Sequence, residues 1–518
     1  MTQAHDQPSA EARGISASLR ELGRVHFLGM AGVGVSAVAR LMHAAGVPVS
    51  GTDAKDLPVL EEFRQGGVPV RVGYAAQNIS SVEEEAGERI STIVASSVAA
   101  AGNPEYDEAV RRGCRILHRS EGLARVMEGF RTIAVAGTHG KTTTSSMAAV
   151  LLNAAGAQPG FAVGANVAGM GVNAELGSGE WFVAEADESD GSLLNYSPEV
   201  AILTNIEADH LDHYGTAEAV DDVFARFALL LPERRGVLVA CADDEGVRRL
   251  LNGCGARLRE RGIDIVTYGF AEDASLRILE HHDHASGGFG QDFTVGDTRA
   301  QRTAHAQVTL SVPGRHNALN ATAAIAAAGC AGVPLPEAAA AVRTFRGAAR
   351  RFELRGDVGG IRVYDDYAHH PTEVAAVLAA ARSAVGGHDS GGSVHAVFQP
   401  HLYSRTQAFG AEFGEALQAA DTVAVLDVYP AREEPIPGVS AQLLGQPVMD
   451  PEQAVSALAA AAAPGDIILT LGAGDVTALG HPIVAELQRR LGRVGMGEAG
   501  PGQAGPGQGE PRQAGRSL

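Results

Sequence analysis

Lysine occurs twice in the 518 residues, at Lys55 and Lys141, and the rest of the 41 basic side chains are arginine. Lys141 stands in Val135-Ala136-Gly137-Thr138-His139-Gly140-Lys141-Thr142-Thr143-Thr144. A composition so strongly biased toward arginine keeps an ammonium here. A compact charge on a flexible stem reaches between phosphate oxygens where a planar guanidinium does not fit, and Gly-Lys-Thr after a strand is a phosphate-cradling signature. Val135 occupies the place of the first glycine of the usual pattern, so the loop is a shortened one. Backbone N–H groups of Gly137, Thr138, His139, Gly140 and Lys141 would face phosphates at a helix N-terminus, with Thr143 in the same turn. The Thr142 hydroxyl is a magnesium ligand by type. These residues point to a nucleoside triphosphate.

Two downstream segments supply carboxylate and imidazole. Glu185 ends an apolar run in Glu185-Ala186-Asp187-Glu188-Ser189-Asp190, and His210 follows another in Asn205-Ile206-Glu207-Ala208-Asp209-His210-Leu211-Asp212. In an open parallel sheet, ligands bind beyond the carboxyl ends of strands, which brings Glu185, His210 and the lysine loop to one rim. Glu185 is preferred to Glu188 because it directly ends the apolar strand. The expected metal set is Thr142, Glu185 and His210. A second phosphate-type turn, Gly29-Met30-Ala31-Gly32-Val33-Gly34, follows a strand, leads into a helix that carries Ser36, and is followed by Asp53. Its glycine order is GxxGxG rather than GxGxxG. That fits a dinucleotide or a UDP-sugar and does not single out NAD. Gly29, Gly32, Gly34, Ser36, Asp53 and Ser96 are the candidates for that ligand.

The elements that must hold these residues alternate strand and helix in three blocks, an α/β pattern with parallel doubly wound sheets. The first block opens at Arg24-Val25-His26-Phe27-Leu28, with strands near 47–50 and 92–95 and a helix over 35–45. The second starts at Arg131, carries the lysine loop and a helix over 142–155, and includes the runs at 181–185 and 200–204. The third begins at Ile361-Arg362-Val363-Tyr364 and includes 394–398, 422–426 and 466–471. The expected division is a disordered 1–18, a domain over 19–129, a central domain over 130–347, a third over 348–491 and a disordered Gly/Pro/Gln-rich tail over 492–518.

Apolar residues make up 45% of the chain, enough for several cores, yet no run is long enough to span a bilayer. The first residues lack the basic and apolar stretches of a secretion signal, and four cysteines show neither CxxC spacing nor disulfide density. A cytoplasmic protein is expected, with no membrane partner. A net charge of −20 argues against a nucleic-acid groove. Nothing in the residues decides between a monomer and a weak homodimer.

The segments Gly-Thr-His-Gly-Lys-Thr-Thr, Glu-Ala-Asp-Glu-Ser-Asp and Asn-Ile-Glu-Ala-Asp-His-Leu-Asp are joined by several more downstream. These are Pro313-Gly314-Arg315-His316-Asn317-Ala318-Leu319-Asn320, Ala348-Ala349-Arg350-Arg351-Phe352, Asp365-Asp366-Tyr367-Ala368-His369-His370-Pro371 and Gln399-Pro400-His401-Leu402-Tyr403-Ser404-Arg405. Together they resemble the Mur ligases of peptidoglycan synthesis over about 24–491. The resemblance is to the type that acts on UDP-N-acetylmuramate and L-alanine.

That resemblance implies an N-terminal Rossmann-like domain for the UDP end, a central P-loop ATPase-like domain with a mostly parallel sheet, and a C-terminal Rossmann-like domain that closes on both. It implies an ATP- and Mg2+-dependent amide-bond-forming ligase working through an acyl phosphate. Lys141, His210 and Arg351 would be catalytic. Asn317, Asn320, Arg351 and Asp366 would meet the ATP, while Tyr367, His369, His401 and Arg405 would line the amino-acid and muramoyl end. Leu402 stands where the family has arginine, which leaves Arg405 to carry that contact. The absence of lysine after Lys141 excludes the carbamylated-lysine metal ligand of sibling ligases. Two alternatives stay open: a recycling ligase that adds a preformed tripeptide, and an NAD-dependent oxidoreductase that would leave Lys141 and Glu185 idle.

Overall fold

The structure, a computed structural model, describes residues 16–96, 102–284, 290–299, 304–386, 391–431 and 433–497. It holds three sheets in chain order, each the centre of one lobe. The first comprises β1 (Arg24–Leu28), β2 (Val49–Asp53), β3 (Val70–Val72), β4 (Ile90–Ala95) and β5 (Arg115–His118). All pairings are parallel, in the order β3-β2-β1-β4-β5. The chain reverses its winding between β1 and β4, and Leu28 lies beside Ala95, so the glycine turn after β1 and Ser96 after β4 open into one crevice.

The second sheet contains β6 (Arg131–Ala136), β7 (Gly160–Ala162), β8 (Ala174–Glu175), β9 (Trp181–Glu185) and β10 (Val200–Leu203). It continues through β11 (Val237–Cys241), β12 (Asp264–Gly269), β13 (Leu276–Asp283), β14 (Gln291–Asp297) and β15 (Ala304–Leu310). Its order is β15-β14-β13-β12-β11-β10-β6-β9-β7-β8, antiparallel at both edges and parallel between. The central strands are buried on both faces, which is why they read as continuous apolar runs. In β6, Ile133 and Val135 join one core with Val183 and Ile202, while Ala134 and Ala136 join the other with Phe182 and Leu203. Helices Lys141–Ala154 and Arg315–Cys330 pack on the first of these faces, and the second is run through with alanines that let the two backbones approach.

The third sheet comprises β16 (Glu353–Val358), β17 (Ile361–Asp366), β18 (Val394–Phe398), β19 (Thr422–Val425) and β20 (Ile467–Leu471). The order is β16-β17-β20-β18-β19, parallel except for the hairpin of β16 with β17. The α/β class and mostly parallel sheets agree with the sequence reading, although element ends differ. The first glycine turn enters its helix at Val33 rather than 35, and the helix after the lysine loop covers Lys141–Ala154.

The two terminal segments expected to be disordered fall mainly outside the described residues. Where they are described they are helical. Ser16 caps a short helix over Ala17–Arg20 by accepting from the Leu19 N–H. The last helix, Gly480–Gly497, continues past the expected limit of 491; buried Leu487 and partly buried Leu491 keep its inner face on the core, and Arg490 hydrogen-bonds the carbonyls of Ala459 and Ala460. Among the described residues no helix is long and apolar enough to cross a membrane. All four cysteines are free.

Candidate functional site

Three adjacent strands of the second sheet, β10, β6 and β9, end at one rim. Leu203 is in register with Ala136, and Val135 with Glu185, so three loops leave the sheet about one strand spacing apart. The middle loop turns through Gly137 (φ 136°) and Gly140 (φ 79°). A Cβ on Gly137 would lie 2.0 Å from the Thr204 Oγ1 and one on Gly140 would lie 2.7 Å from the Asn320 Oδ1, so both positions exclude larger residues. The loop is tied to its neighbour by the His139 N–H, which donates to the Asn205 Oδ1 (2.7 Å), and by the Thr138 N–H, which donates to the Asn205 carbonyl (3.0 Å).

The Lys141 ammonium folds over this loop. It donates to the carbonyls of Gly137 (2.7 Å) and Thr138 (2.9 Å) and to Glu188 Oε1 (2.8 Å). Burial alone would depress its pKa, but Glu188, Asp187 and Glu185 outweigh burial and raise it. The Thr142 hydroxyl donates to Glu185 Oε1 (3.0 Å), and the Gly164 N–H donates to the other oxygen (2.7 Å). Glu188 is 1% exposed and its Oε2 has no hydrogen-bond partner. Burial, abetted by Asp187, pushes its carboxyl up to about 7 against the pull of Lys141. The His210 Nε2 lies 3.7 Å from Glu188 Oε1 and 3.8 Å from Asp209 Oδ2, and burial lowers its pKa, which favours the neutral, metal-ligating form. Thr142 with Glu185, and His210 with Glu188, thus form two neighbouring pairs on this rim, and the orphaned Glu188 oxygen is a further acceptor there. Thr142 meets Glu185 while Lys141 and His210 meet Glu188, so the two glutamates divide the work rather than compete for it.

Two clefts flank this rim. One separates the second and third lobes and is lined by His139, Gly140, Thr143, Asn317, Asn320, Arg351 and Asp366, with His316, Glu207 and Glu373. Asn317 donates to the Pro313 carbonyl (2.7 Å), and the Asn320 Oδ1 accepts from Thr144 (3.1 Å), which fixes the Asn320 amide beside the lysine loop. Asp366 is buried; its carboxylate accepts the N–H groups of Phe352 (2.7 Å) and Ala368 (2.8 Å), and burial raises it to about 6 although Arg351 opposes this. The other cleft lies between the first and second lobes and is lined by Gly32, Gly34 and Ser96, with Arg119, Glu185, Asp187 and Tyr196. It continues into a hollow of Gly29, Gly32, Asp53, Tyr74, Ser96 and Asn103. Gly32 and Ser96 border both, so one trough runs from the first glycine turn to Glu185. Asp53 shapes that turn, its Oδ2 accepting the Ala31 N–H at 2.9 Å. Ser36 does not reach the trough: it is buried in its helix and its hydroxyl returns to the Val33 carbonyl (3.1 Å).

The third lobe brings its own residues to the rim. Tyr367 lies under Arg350 and Arg351, whose guanidinium carbons are 4.7 and 5.3 Å from its ring centre. The His369 Nδ1 donates to the Tyr367 carbonyl (3.0 Å), which leaves Nε2 as the acceptor, and burial holds its pKa down at about 3. His401 stacks on Tyr429 at 5.7 Å and lies 6.2 Å from His369. Arg405, expected at the amino-acid end, is engaged across the lobes with Asp209 (3.1 and 3.3 Å). Leu402 holds φ 72° at the start of the helix Tyr403–Leu417, a strained conformation of the kind that clusters at working sites. Sequence reading missed Arg119, Tyr74, Tyr196, Glu207 and Glu373. Arg119, Tyr74 and Glu207 follow the ends of β5, β3 and β10, so the strand-end rule would have found them; Tyr196 and Glu373 are drawn in by tertiary packing.

The chain matches three family models: the Mur ligase family catalytic domain over residues 24–131, the Mur ligase middle domain over 135–328, and the Mur ligase glutamate ligase domain over 350–474. It is 53% identical over 476 residues to the UDP-N-acetylmuramate–L-alanine ligase of Paenarthrobacter aurescens, covering 91% of this chain and 98% of that one. It is 55% identical over 483 residues to the ligase of the same name from an Arthrobacter species, covering 92% and 97%. Among solved structures it is similar to the UDP-N-acetylmuramate-alanine ligase of Thermotoga maritima, with a TM-score of 0.71 at 26% identity over 90% of this chain and 99% of that one.

Proposed function

The chain belongs to the Mur ligase family, and from that premise we propose that it is an ATP-dependent ligase joining the carboxylate of UDP-N-acetylmuramate to the amine of L-alanine, with release of ADP and phosphate. The observation that carries this reading is the place of the lysine loop between two clefts. His139 and Gly140 border one, while Glu185, whose carboxylate accepts from Thr142, borders the other. A triphosphate entering from the third-lobe side and a sugar carboxylate entering along the first-lobe trough meet at Lys141. The 53–55% identity to the L-alanine ligases supports the choice of substrates.

The residue types follow from the chemistry. The carboxylate oxygen attacks the γ-phosphorus, the bond to ADP breaks, and the resulting acyl phosphate is attacked by the amine; phosphate leaves as the amide forms. Both partners in the first step are anions, so Lys141 and the loop N–H groups other than those of Thr138 and His139, which Asn205 engages, must neutralise charge on the moving phosphoryl group. On binding a triphosphate, Lys141 exchanges its two loop carbonyls for phosphate oxygens while Glu188 keeps it oriented. Thr142, Glu185 and His210 would hold a magnesium ion, which supplies charge stabilisation at the phosphate oxygens. Arg351 lines the nucleotide cleft and adds a cation from the third lobe. His369, neutral down to about pH 3, is too weak a base to deprotonate an ammonium; its Nε2 orients the amine as an acceptor. Tyr367, His401 and Arg405 border that end. The Asp209–Arg405 pair shuts the third lobe over the acyl phosphate, which water would otherwise hydrolyse. We assign the lobes to 19–129, 130–347 and 348–491, and place the enzyme in the cytoplasm, where its nucleotide substrates are made.

Phosphate release from ATP tests this reading, with UDP-N-acetylmuramate present and acceptors added one at a time. Release that requires both UDP-N-acetylmuramate and L-alanine supports it. Release driven by a preformed tripeptide instead makes the enzyme a recycling ligase, and release that needs neither acceptor refutes the assignment.

A further inference from the structure

Beside the proposed magnesium set lies a cluster whose side chains have no part in the ligase reaction as described. His139 comes from the lysine loop, Glu207 from the loop after β10, and His370 from the third lobe at the start of the helix Pro371–Ala384. Their donor atoms all lie within 4.8 Å of one another. We propose that His139, Glu207 and His370 form a site for a four-coordinate transition-metal ion of the zinc class, which clamps the lysine loop of the second lobe to the third lobe.

Spacing is the first argument. The His139 Nε2 is 3.5 Å from Glu207 Oε2, and the His370 Nδ1 is 3.8 Å from the same oxygen. Hydrogen bonds between such groups close to about 2.7–3.2 Å. Two ligands each about 2.0–2.2 Å from a tetrahedral ion stand roughly 3.4 Å apart. The His139–Glu207 ion pair and the His139–His370 ring contact, with centroids 4.7 Å apart, hold the three groups at separations that one ion can draw together.

Unsatisfied nitrogen is the second. His370 is 5% exposed, and neither of its ring nitrogens has a hydrogen-bond partner. The buried His139 Nε2 lacks one as well. A ring buried with both nitrogens idle is costly unless something else coordinates it.

The groups behind the ligands complete the pattern. The His139 Nδ1 faces Glu373 Oε1 at 3.2 Å, the carboxylate–histidine arrangement that orients a ligating ring. The Thr372 hydroxyl donates to Glu207 Oε2 at 2.9 Å and steadies the carboxylate. Two imidazoles and one carboxylate select zinc-class ions over magnesium, which prefers oxygen. His139 and Glu207 both border the nucleotide cleft. Burial acts to lower the His139 pKa, but Glu373 and Glu207 raise it to about 9.

The test uses the full chain stripped with chelator, titrated with Co2+ and followed by visible absorption, and with Zn2+ in competition with a chromophoric chelator. Neither readout depends on turnover, so the result stands or falls apart from the ligase assignment. One equivalent is expected, with the intense bands of four-coordinate Co2+. Affinity should fall by about tenfold or more in His370→Ala and in Glu207→Gln. Glu207→Gln keeps the shape of the side chain and decides the matter if His370→Ala does not fold. Absence of stoichiometric binding, the weak spectrum of six-coordinate Co2+, or an affinity unchanged in Glu207→Gln would overturn the site.

Discussion

Replacing Asp209 by asparagine isolates the contact that closes the third lobe. Arg405 and Asp209 come from different lobes, and their side chains are 8% and 10% exposed. Burial would raise the Asp209 pKa, but Arg405 and then His210 hold it well below the usual carboxylate range, so the pair is ionic at every pH of interest. Asp209→Asn keeps the shape and removes one charge. A guanidinium left buried without its partner costs about 3–5 kcal/mol. In a rigid core that cost would appear as lost stability. Here the lobes can separate and return Arg405 to water, so the cost falls on closure. If closure precedes phosphoryl transfer, about 3 kcal/mol corresponds to roughly a 100-fold fall in kcat/KM. Steady-state phosphate release gives the rate, and thermal unfolding of the ligand-free protein gives the control, which should hardly move. Activity within threefold of the parent would refute the closure argument, as would a loss of activity matched by an equal loss of stability.

Lys141→Ala and Lys141→Arg should both abolish turnover with unchanged circular dichroism, because a planar guanidinium cannot replace a point charge inside the loop; near-normal activity in the arginine variant would contradict this. In the first lobe, Glu105 is fully buried, binds the His26 Nε2 at 3.0 Å, and accepts from the Ala75 N–H (3.0 Å) and Asn78 (2.6 Å), fixing the loop that carries Tyr74. Glu105→Gln should therefore raise KM for UDP-N-acetylmuramate by at least about tenfold, with kcat largely kept and a stability loss of about 3 kcal/mol in urea unfolding. His316 is held neutral by burial, its pKa lowered to about 4. The unfolded chain takes up this proton below about pH 6.5 and the folded chain only near 4, so stability is full above 6.5 and falls as pH drops through that window. His316→Gln should flatten the slope there by up to about 1.4 kcal/mol per pH unit, measured by urea unfolding at a series of pH values.

Much of this site was legible in the residues because its chemistry rides on strand ends. Lys141, Glu185 and His210 each follow an apolar run, and a parallel sheet leaves little choice about where such positions meet. Partner choice was another matter. Arg405 reads as a free cation for a substrate carboxylate until the fold places Asp209, 196 positions away, against it. Glu188 looked like the runner-up to Glu185, whereas the sheet gives one glutamate to Thr142 and the other to Lys141. Ser36 lies on the motif yet turns inward, since a helical serine can satisfy its hydroxyl on the carbonyl three residues back. The His26–Glu105 pair spans 79 positions and left no local pattern to read.

The central claim is that a phosphoryl group passes to the sugar carboxylate at the lysine loop, and isotope transfer tests it most directly. UDP-N-acetylmuramate labelled with 18O in its carboxylate should yield inorganic phosphate carrying one labelled oxygen per turnover, because the oxygen that attacks phosphorus departs with it. Phosphate free of label, with amide still formed, would contradict the account.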